Sequence, residues 1–162
     1  MKLSSLKRAW VYYRVNHIYA GTRCFEKKRR LLNSVGHSLG EGTKIVGPLF
    51  CTGRLVVGEN CWIGRGLTIH GNGTVTMGSN CDIGPDVTFL TGSHELGDAM
   101  RRAGKGKTFD VTVGNGVWVG ARCTVMADVG DGSAIAACAC VSKAVGENVL
   151  AGGVPAKTIR EL

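Results

Sequence analysis

Large aromatic side chains and prolines are scarce in this sequence. Only 6% of the 162 residues are aromatic and only three are proline, whereas 25 are glycine. So few aromatic rings argue against a globular core packed around large side chains, and so many glycines indicate a backbone with frequent sharp corners. At this length we expect one domain, or one repeat array with appendages.

A long uninterrupted apolar run is also missing. Near the amino terminus the apolar residues are interrupted by Lys7, Arg8, Arg14 and Asn16. A signal peptide and a membrane-spanning helix both need an unbroken apolar segment, and we therefore expect neither.

The seven cysteines are an odd number, and no two of them have the spacing of zinc ligands. Free cysteines in an odd number are typical of a reducing compartment, which predicts a cytoplasmic location. The lack of zinc-ligand spacing predicts that no metal is required. Four of the cysteines fall where a small buried apolar residue is expected. These are Cys51, Cys61, Cys81 and Cys123.

The basic residues outnumber the acidic ones, which gives a formal net charge of +8. Much of the excess lies in two clusters, at 23–30 and 101–107. No zinc-finger spacing, arginine-rich recognition helix or aromatic RNA-binding motif accompanies them, so that nucleic acid is not expected as a partner. A phosphorylated cofactor fits the charge better.

Apolar residues recur at every sixth position from Leu39 to Val75. A period of six matches neither an amphipathic helix nor a plain strand. It is typical of a coil of short strands joined by sharp corners. The period shifts by two at Met77 and returns in the last third of the chain. Its positions are Leu39, Ile45, Cys51, Val57, Ile63, Ile69, Val75, Met77, Ile83, Phe89, Val113, Val119, Val125, Val129, Ile135 and Val141.

Two irregularities interrupt this array. The repeat after Ile69 is two residues too long, which predicts a bulge between His70 and Thr76. Residues 92–110 break the period altogether and form a polar segment that leaves the array at His94. Bulges and long loops in compact arrays are commonly functional. Because coil stacking would place the two irregularities on one face, we expect the active site there.

These features divide the chain into three parts. Residues 1–36 form a helical part, and residues 37–149 form the repeat array with its protruding loop 92–110. Residues 150–162 are predicted to form a turn and a short helix.

The helical part has two possible roles. Apolar residues and His17 recur at helical spacing up to Gly21, and a second basic helix is predicted over 22–33. We favour a cap over the first coil, because the open end of a repeat array exposes core and strand edges. The alternative is weak contact with an anionic membrane surface through Trp10 and the basic residues.

Three further motifs, taken with His94, resemble a known family. They are Gly116-Val117-Trp118-Val119-Gly120-Ala121, Val141-Ser142-Lys143 and Gly153-Val154-Pro155-Ala156-Lys157. With the hexapeptide repeat they resemble the hexapeptide-repeat acyltransferases, most closely the galactoside and maltose O-acetyltransferase branch. The resemblance covers about residues 39–162. It implies an all-β fold, a left-handed parallel β-helix, and a homotrimer with each site between neighbouring subunits.

The chemistry of such a site follows from the groups involved. An alcohol is too weak an acid to attack a thioester at neutral pH unless a base is in place. Imidazole, with an ordinary pKa of about 6.5, can accept that proton. By the resemblance, His94 is the catalytic base, acetyl-CoA is the co-substrate, and the backbone amide of Ala121 supports the thioester oxygen.

The resemblance also implies the residues that hold acetyl-CoA. Some match positions along its pantetheine arm, and others match positions near its phosphates, where cations suit a multiply charged ligand. In chain order these cofactor-binding candidates are Trp118, Ala121, Ala137, Ser142, Lys143, Lys157 and Arg160.

The resemblance defines the acceptor less closely. Candidate substrate-binding residues are His70 and Asn72 in the bulge, and Glu95 beside the expected base. Asn72 stands where relatives carry an acidic residue, and Gly64 replaces an asparagine that helps hold the hydroxyl in the sugar enzymes. Between Val125 and Ile135 the chain is also two residues shorter than most relatives.

The expected reaction is acetyl transfer to a hydroxyl of a sugar or saccharide. Transfer to the amine of an amino sugar, or to the hydroxyl of serine, stays open because the same base serves each. A zinc carbonic anhydrase on the same coil would need three converging imidazoles, and no histidine follows His94. A non-catalytic scaffold is the remote alternative, and it predicts no acetyl-CoA binding.

Overall fold

The computed structural model describes residues 3–162, with side chains from Ser5 onward. Within these residues two α-helices, α1 (Leu3–Tyr13) and α2 (Phe25–Asn33), precede eighteen short strands, and a π-helical turn over Arg14–Ile18 continues α1. The strands are β1 (Ser38–Leu39), β2 (Lys44–Ile45), β3 (Leu49–Cys51), β4 (Arg54–Val57), β5 (Trp62–Ile63), β6 (Leu67–His70), β7 (Thr74–Met77), β8 (Asp82–Ile83), β9 (Thr88–Leu90), β10 (Gly92–Leu96), β11 (Ala103–Thr108), β12 (Val111–Val113), β13 (Trp118–Val119), β14 (Thr124–Val125), β15 (Ala134–Ile135), β16 (Cys140–Val141), β17 (Val149–Gly152) and β18 (Lys157–Glu161).

The strands stack into three parallel sheets that form the sides of a column. Face one contains β1, β4, β7 and β12; face two contains β2, β5, β8, β13, β15 and β17; face three contains β3, β6, β9, β14 and β16. The chain visits the faces in the order one, two, three, and it completes about six such coils. The predicted repeat is thereby confirmed, with each hexapeptide supplying one short strand and one corner.

Residues of the predicted period point into the column and stack in register. On face two, Ile45 pairs with Ile63 and Ile63 with Ile83, while Val119 pairs with Ile135. Each of these side chains is at most 2% exposed. Full burial of such a side chain is worth roughly 1.5–3 kcal/mol, so this interior stack is the main source of stability. The cysteines predicted to fill the interior are buried and free, namely Cys51, Cys61, Cys81 and Cys123.

The predicted bulge lies at the corner between faces three and one. Cys51 pairs with Ile69 on face three, and Val57 pairs with Met77 on face one. The connection in the second coil is therefore two residues longer than the connection in the first. Because the strands on either side stay in register, the extra residues must protrude at the corner.

The shortening between Val125 and Ile135 is repeated in the coil that follows. Val113 pairs with Val129, and Val129 with Val145, so that both coils take sixteen residues. Because both coils are shortened at the same corner, their strands stay in register on faces two and three. Face one is reduced there to isolated bridges.

Helix α1 and its π-helical turn cover the open edge of face three. The Asn16 side chain donates to the Leu49 carbonyl at 2.8 Å and accepts from the Leu49 N–H at 2.9 Å, as a neighbouring strand would. Val11 and Val15 are fully buried and join the apolar interior of the column. The helix thus satisfies the backbone groups of an edge strand and closes the core at the same time.

Helix α2 covers the first coil on its other two faces. Asn33 accepts from the N–H of Leu39 at 2.8 Å and donates to its carbonyl at 3.1 Å. The fully buried Lys28 donates its ammonium to the carbonyls of Gly21 and Val46. Removal from water lowers the pKa of Lys28 to about 8. No helix in residues 3–162 is long and apolar enough to cross a bilayer.

Two predicted elements differ from expectation. Most of the segment predicted as a loop, 92–110, is an antiparallel hairpin of β10 and β11. The short helix predicted within 150–162 is wrong, because the chain there returns as strand β18, antiparallel to β17. Since β17 is the last parallel strand of face two, it would otherwise leave an open edge, and the returning chain pairs with that edge.

Candidate functional site

A concave depression lies where the bulge and the hairpin meet, at the corner between faces three and one. Its volume is about 400 Å³. His70 and Asn72 of the bulge line one side, and Ser93, His94 and Lys107 of the hairpin line the other. The prediction that the two irregularities stack together is confirmed, and two of the three predicted acceptor residues lie in the depression with His94.

Glu95, the third predicted acceptor residue, is not among the residues that line the depression. Its carboxylate lies 3.8 Å from the ammonium of Lys107, and both side chains are more than half exposed. Such an exposed ion pair is worth at most about 1 kcal/mol. The ion pair thus links Glu95 to Lys107, which lines the depression.

A bulge inside the hairpin orients His94. Between their paired positions, β11 contains one residue more than β10. At this point the carbonyl of Gly104 lies 2.8 Å from Nδ1 of His94. Bulges re-aim backbone groups in this manner, and here the re-aimed group is a hydrogen-bond acceptor for the imidazole ring.

The contact with Gly104 determines which nitrogen of the neutral imidazole carries the proton. A carbonyl oxygen can only accept a hydrogen bond, so Nδ1 of His94 must donate. Nε2 then holds a lone pair and is available as a base. Because the side chain is exposed and lines the depression, this lone pair is accessible to a small molecule bound there.

A second group of predicted residues lies on face two and at its corner with face three. Trp118 of β13 is 61% exposed. Ala121 and Ala137 occupy the corner in successive coils, next to Gly84 and Gly120. A Cβ built on Gly84 would lie 2.7 Å from the amide nitrogen of Ala121, and one on Gly120 would lie 2.6 Å from that of Ala137. A side chain on either glycine would therefore cover the amide that faces it.

Neither of these two amides, that of Ala121 and that of Ala137, has a hydrogen-bond acceptor in the part of the chain that the structure describes. Fixed backbone donors of this kind stabilise an oxygen that gains negative charge during acyl transfer. The cradle beside Gly84, which a side chain would fill, thus fits the predicted role of Ala121 toward a thioester oxygen.

The four residues predicted to bind phosphate groups are exposed. Ser142 and Lys143 follow β16 at the corner between faces three and one, whereas Lys157 and Arg160 lie on β18, which extends face two. The cationic side chains of Lys143, Lys157 and Arg160 are thus accessible to an anionic ligand outside the column. Among the described residues, no cluster of three or more His, Cys, Asp and Glu could hold a metal ion.

The His94 depression and the Ala121 corner do not meet within one chain. The depression lies between faces three and one, whereas Ala121 lies between faces two and three, so that the width of face three separates them. One chain alone therefore does not bring the expected base to the expected amide donor.

His37 is a structural histidine of the first coil. Its Nδ1 accepts from the N–H of Leu55 at 3.1 Å, and its Nε2 lies 2.9 Å from the hydroxyl of Tyr12. Burial, followed by the nearby charges of Arg8 and Arg54, lowers the pKa of His37 to about 4. The ring is therefore neutral in the folded protein at neutral pH.

Two glycines of the site escaped sequence reasoning. Gly104 orients His94 through its carbonyl, and Gly84 exposes an amide by having no side chain. The glycine-rich run around Gly104 and the glycine that ends the repeat before Pro85 were the available signals. Neither signal says which backbone group a folded chain will expose.

No model of a protein family matches the sequence. The chain is similar to the galactoside O-acetyltransferase of Escherichia coli (strain K12), with 32% identity over 161 residues, which cover 97% of this chain and 78% of that protein. A solved galactoside acetyltransferase in complex with coenzyme A has a TM-score of 0.84 and 31% identity, covering 98% of this chain and 80% of that chain.

A third similar protein is a hexapeptide-repeat acetyltransferase of Vibrio cholerae O1 biovar eltor, solved with acetyl coenzyme A. Its TM-score is 0.84 at 23% identity, covering 98% of this chain and 87% of that chain. At that identity the likeness concerns the fold alone.

Proposed function

Since the chain belongs to the hexapeptide-repeat acetyltransferases of the galactoside O-acetyltransferase type and is therefore an acyltransferase, we propose that it transfers the acetyl group of acetyl-CoA to a hydroxyl of a sugar or saccharide. The fold is the left-handed parallel β-helix of this family. The observation that carries the proposal is the state of His94. Its Nδ1 is held by the Gly104 carbonyl, and its Nε2 is open to a depression of the size that small-molecule sites have.

In the proposed reaction, Nε2 of His94 takes the proton of the acceptor hydroxyl as the new ester bond forms. Acetyl-CoA supplies the activated acetyl group. Its thioester C–S bond breaks as the ester forms, and coenzyme A leaves as a thiol with the proton that His94 returns to the sulfur. The Gly104 carbonyl stabilises the protonated ring through Nδ1, while the Ala121 amide donates to the carbonyl oxygen as it gains charge. A base of this kind contributes roughly 10²–10⁴-fold to the rate. Trp118 would contact the pantetheine arm of acetyl-CoA. Lys143 is one of the cations that would contact the phosphates of coenzyme A.

The separation of the two half-sites supports a shared site as part of this proposal. If His94 of one copy faces the Ala121 corner of another, each active site is formed between two subunits, and a closed ring of three copies supplies three such sites. We accordingly propose a homotrimer of columns packed side by side.

A thiol-release assay with acetyl-CoA tests the proposal against a panel of sugars, amino sugars and serine. We expect the highest rate with a sugar hydroxyl, and His94→Ala should lower kcat by roughly 10²–10⁴-fold while still binding acetyl-CoA. His17→Ala, which changes an exposed histidine on the first helical segment, is the matched control and should keep the wild-type rate. A wild-type rate in His94→Ala would remove the proposed mechanism.

The same assay separates the alternatives. Faster transfer to an amino sugar or to serine would change the acceptor and leave the base in place. Absence of both acetyl-CoA binding and thiol release would favour a non-catalytic scaffold. We also propose a cytoplasmic location, which is supported by cysteines that are all free thiols within residues 3–162.

Mixing two inactive variants tests the shared site. His94→Ala removes the base and Gly84→Ala covers the Ala121 amide, so neither variant alone should be active. If the site is shared, trimers reassembled from equal amounts of the two should regain about a quarter of wild-type activity, because some interfaces then contain both intact halves. Sites formed within one chain would give no recovery.

A further inference from the structure

A cationic pocket lies between the two N-terminal helices and shares no residue with the His94 depression. Its volume is about 280 Å³, and it is called the interhelix pocket below. The residues that line it are Arg14 in the π-helical turn, Tyr19 directly after that turn, Lys27, Arg30 and Leu31 of α2, and Ser34 directly after α2. The acetyl transfer proposed above uses none of these residues and leaves the pocket without a role.

Arg14 is held at the interhelix pocket by aromatic rings. Its guanidinium carbon lies 4.9 Å from the ring centroid of Trp10 and 4.9 Å from that of Tyr19, and the guanidinium donates a hydrogen bond to the Tyr19 hydroxyl. Stacking of this kind fixes the group and keeps its charge. Among the described residues, the buried Nε of Arg14 has no hydrogen-bond acceptor. A buried donor without an acceptor costs roughly 1–3 kcal/mol, a penalty that a ligand oxygen would remove.

Lys27 places a second cation beside the same aromatic ring. Its ammonium lies 5.9 Å from the ring centroid of Tyr19, on which Arg14 also stacks. In the part of the chain that the structure describes, neither Arg14 nor Lys27 forms an ion pair with a carboxylate, and no acidic residue lines the pocket. The two positive charges therefore repel each other without compensation from the protein.

Arg30 adds a third cation that is only partly neutralised. Its Nε donates to Glu26 at 2.7 Å, and its side chain is 77% exposed. Arg29 donates to both carboxylate oxygens of the same Glu26, so that one negative charge serves two guanidinium groups. The surroundings of the pocket thus keep an excess of positive charge, which a multiply charged anion would offset.

We propose that the interhelix pocket binds a phosphate monoester. Such a group carries a charge of about −1.5 to −2 at neutral pH and three acceptor oxygens, which suits three converging cations. A carboxylate or a phosphate diester carries a single charge and suits them less well. The ring of Tyr19 and the side chain of Leu31 offer an apolar wall to the carbon atoms of the ester. The phosphate belongs either to a small soluble ester or to a lipid headgroup.

Glycerol 3-phosphate and vesicles that contain phosphatidic acid test the proposal, because both present a phosphate monoester on a glycerol carbon. In isothermal titration calorimetry the wild-type protein should bind glycerol 3-phosphate and should not bind glycerol. Lys27→Gln and Arg14→Gln should each weaken that binding by about tenfold, because a charge-assisted hydrogen bond is lost. Arg65→Gln, which removes an exposed arginine from the second coil, is the matched control and should bind as the wild type does.

Vesicle cosedimentation distinguishes the two sources of the phosphate. Stronger binding to phosphatidic acid than to phosphatidylglycerol at equal surface charge, lost in Lys27→Gln, would support the proposal with a lipid headgroup as the ligand. Binding of free glycerol 3-phosphate without that preference would support it with a soluble ester. Equal binding to both kinds of vesicle without binding of the free ester would overturn it. Binding of neither probe, or binding that both variants leave unchanged, would also overturn it.

Thermal unfolding midpoints separate lost binding from damage to the helices. Arg14→Gln removes contacts with Trp10 and Tyr19 and should lower the midpoint, whereas Lys27→Gln changes an exposed side chain and should keep it. Lys27→Gln should also keep the wild-type rate of acetyl transfer, because Lys27 does not line the His94 depression. Loss of phosphate binding in this variant at an unchanged midpoint would therefore assign the loss to the interhelix pocket.

Discussion

The corner that carries His94 and the corner that carries Ala121 present functional groups in different ways. At the first, a bulge and a hairpin inserted into the repeat bring side chains together around a depression. At the second, the repeat is regular, and functional groups become available because glycines leave backbone amides uncovered. A regular coil can offer fixed dipoles at any corner, whereas the concavity around His94 is formed by two departures from the period.

Among the variants that test this comparison, Gly84→Ala should cause the largest loss of kcat. The added Cβ would lie 2.7 Å from the amide nitrogen of Ala121 and close to backbone atoms that cannot turn away. Loss of one such donor costs about 10²–10³-fold in kcat. Steady-state kinetics with acetyl-CoA and a sugar acceptor measure this loss.

Gly58→Ala is the matched control, because a Cβ there would also lie 2.7 Å from backbone atoms, but at a corner of faces one and two. Both variants should be destabilised to a similar extent, as their thermal midpoints would show. Only Gly84→Ala should lose turnover, and a comparable kcat in the two variants would mean that the uncovered amide has no catalytic role.

A pH-dependent stability is expected from His37, the buried counterpart of the exposed His94. Its folded pKa of about 4 lies below the ordinary value of 6.5, so between these pH values the unfolded chain binds a proton that the folded protein does not. The free energy of unfolding should therefore fall as the pH drops from 6.5 to 4, by up to roughly 3 kcal/mol, with no further contribution below pH 4.

Urea unfolding at neutral and mildly acidic pH measures this effect. His37→Asn removes the titrating group and should flatten the dependence across that window relative to the wild type. An unchanged dependence in the variant would assign the effect to other groups and would leave His37 without this role.

A smaller effect is expected from Lys157→Ala. This variant tests whether strand β18 contributes to the same acetyl-CoA site as the Ala121 corner. Loss of one cation near the coenzyme A phosphates should raise KM for acetyl-CoA by about five- to tenfold and change kcat little. Lys105→Ala, which removes an exposed lysine of the hairpin, should leave KM for acetyl-CoA unchanged. Equal values of KM in the Lys157 variant and the wild type would refute this assignment.

The smallest expected effect is weak binding of the outer surface of α1 to anionic membranes, which involves neither corner. Leu6, Trp10 and Tyr13 are about half exposed there, next to the exposed Lys7. We expect weak cosedimentation with vesicles that contain anionic lipid, reduced by Trp10→Ala and by high salt. Equal recovery with neutral and anionic vesicles would leave these helices with the covering role alone.

The column could be predicted because its period is carried by single residues. An apolar side chain such as Ile63 or Ile83 is buried because of its own chemistry, and the residue at the equivalent position of the next coil is apolar as well. The pattern is therefore visible in the sequence without knowledge of the contacts. The bulge after Ile69 could be predicted in the same way, as a change in spacing. The helices that cover the first coil followed from helical periodicity.

The hairpin and the last strand could not be predicted because their partners specify them. Residues 103–108 are rich in glycine and lysine and lack apolar alternation, so the pairing with β10 decides their conformation. The segment Lys157–Glu161 is a strand because β17 offers an open edge. The contact of His94 with Gly104 likewise depends on a bulge between two paired strands, which no local pattern encodes.

The returning strand β18 also limits how copies of this protein can associate. It runs antiparallel to β17 and carries Lys157 and Arg160, and charged side chains make a strand edge a poor template for further pairing. At the opposite end, helices occupy the outermost edge. Both ends therefore disfavour end-to-end polymerisation into a fibre, and the sides of the column are the surfaces that the proposed trimer would use.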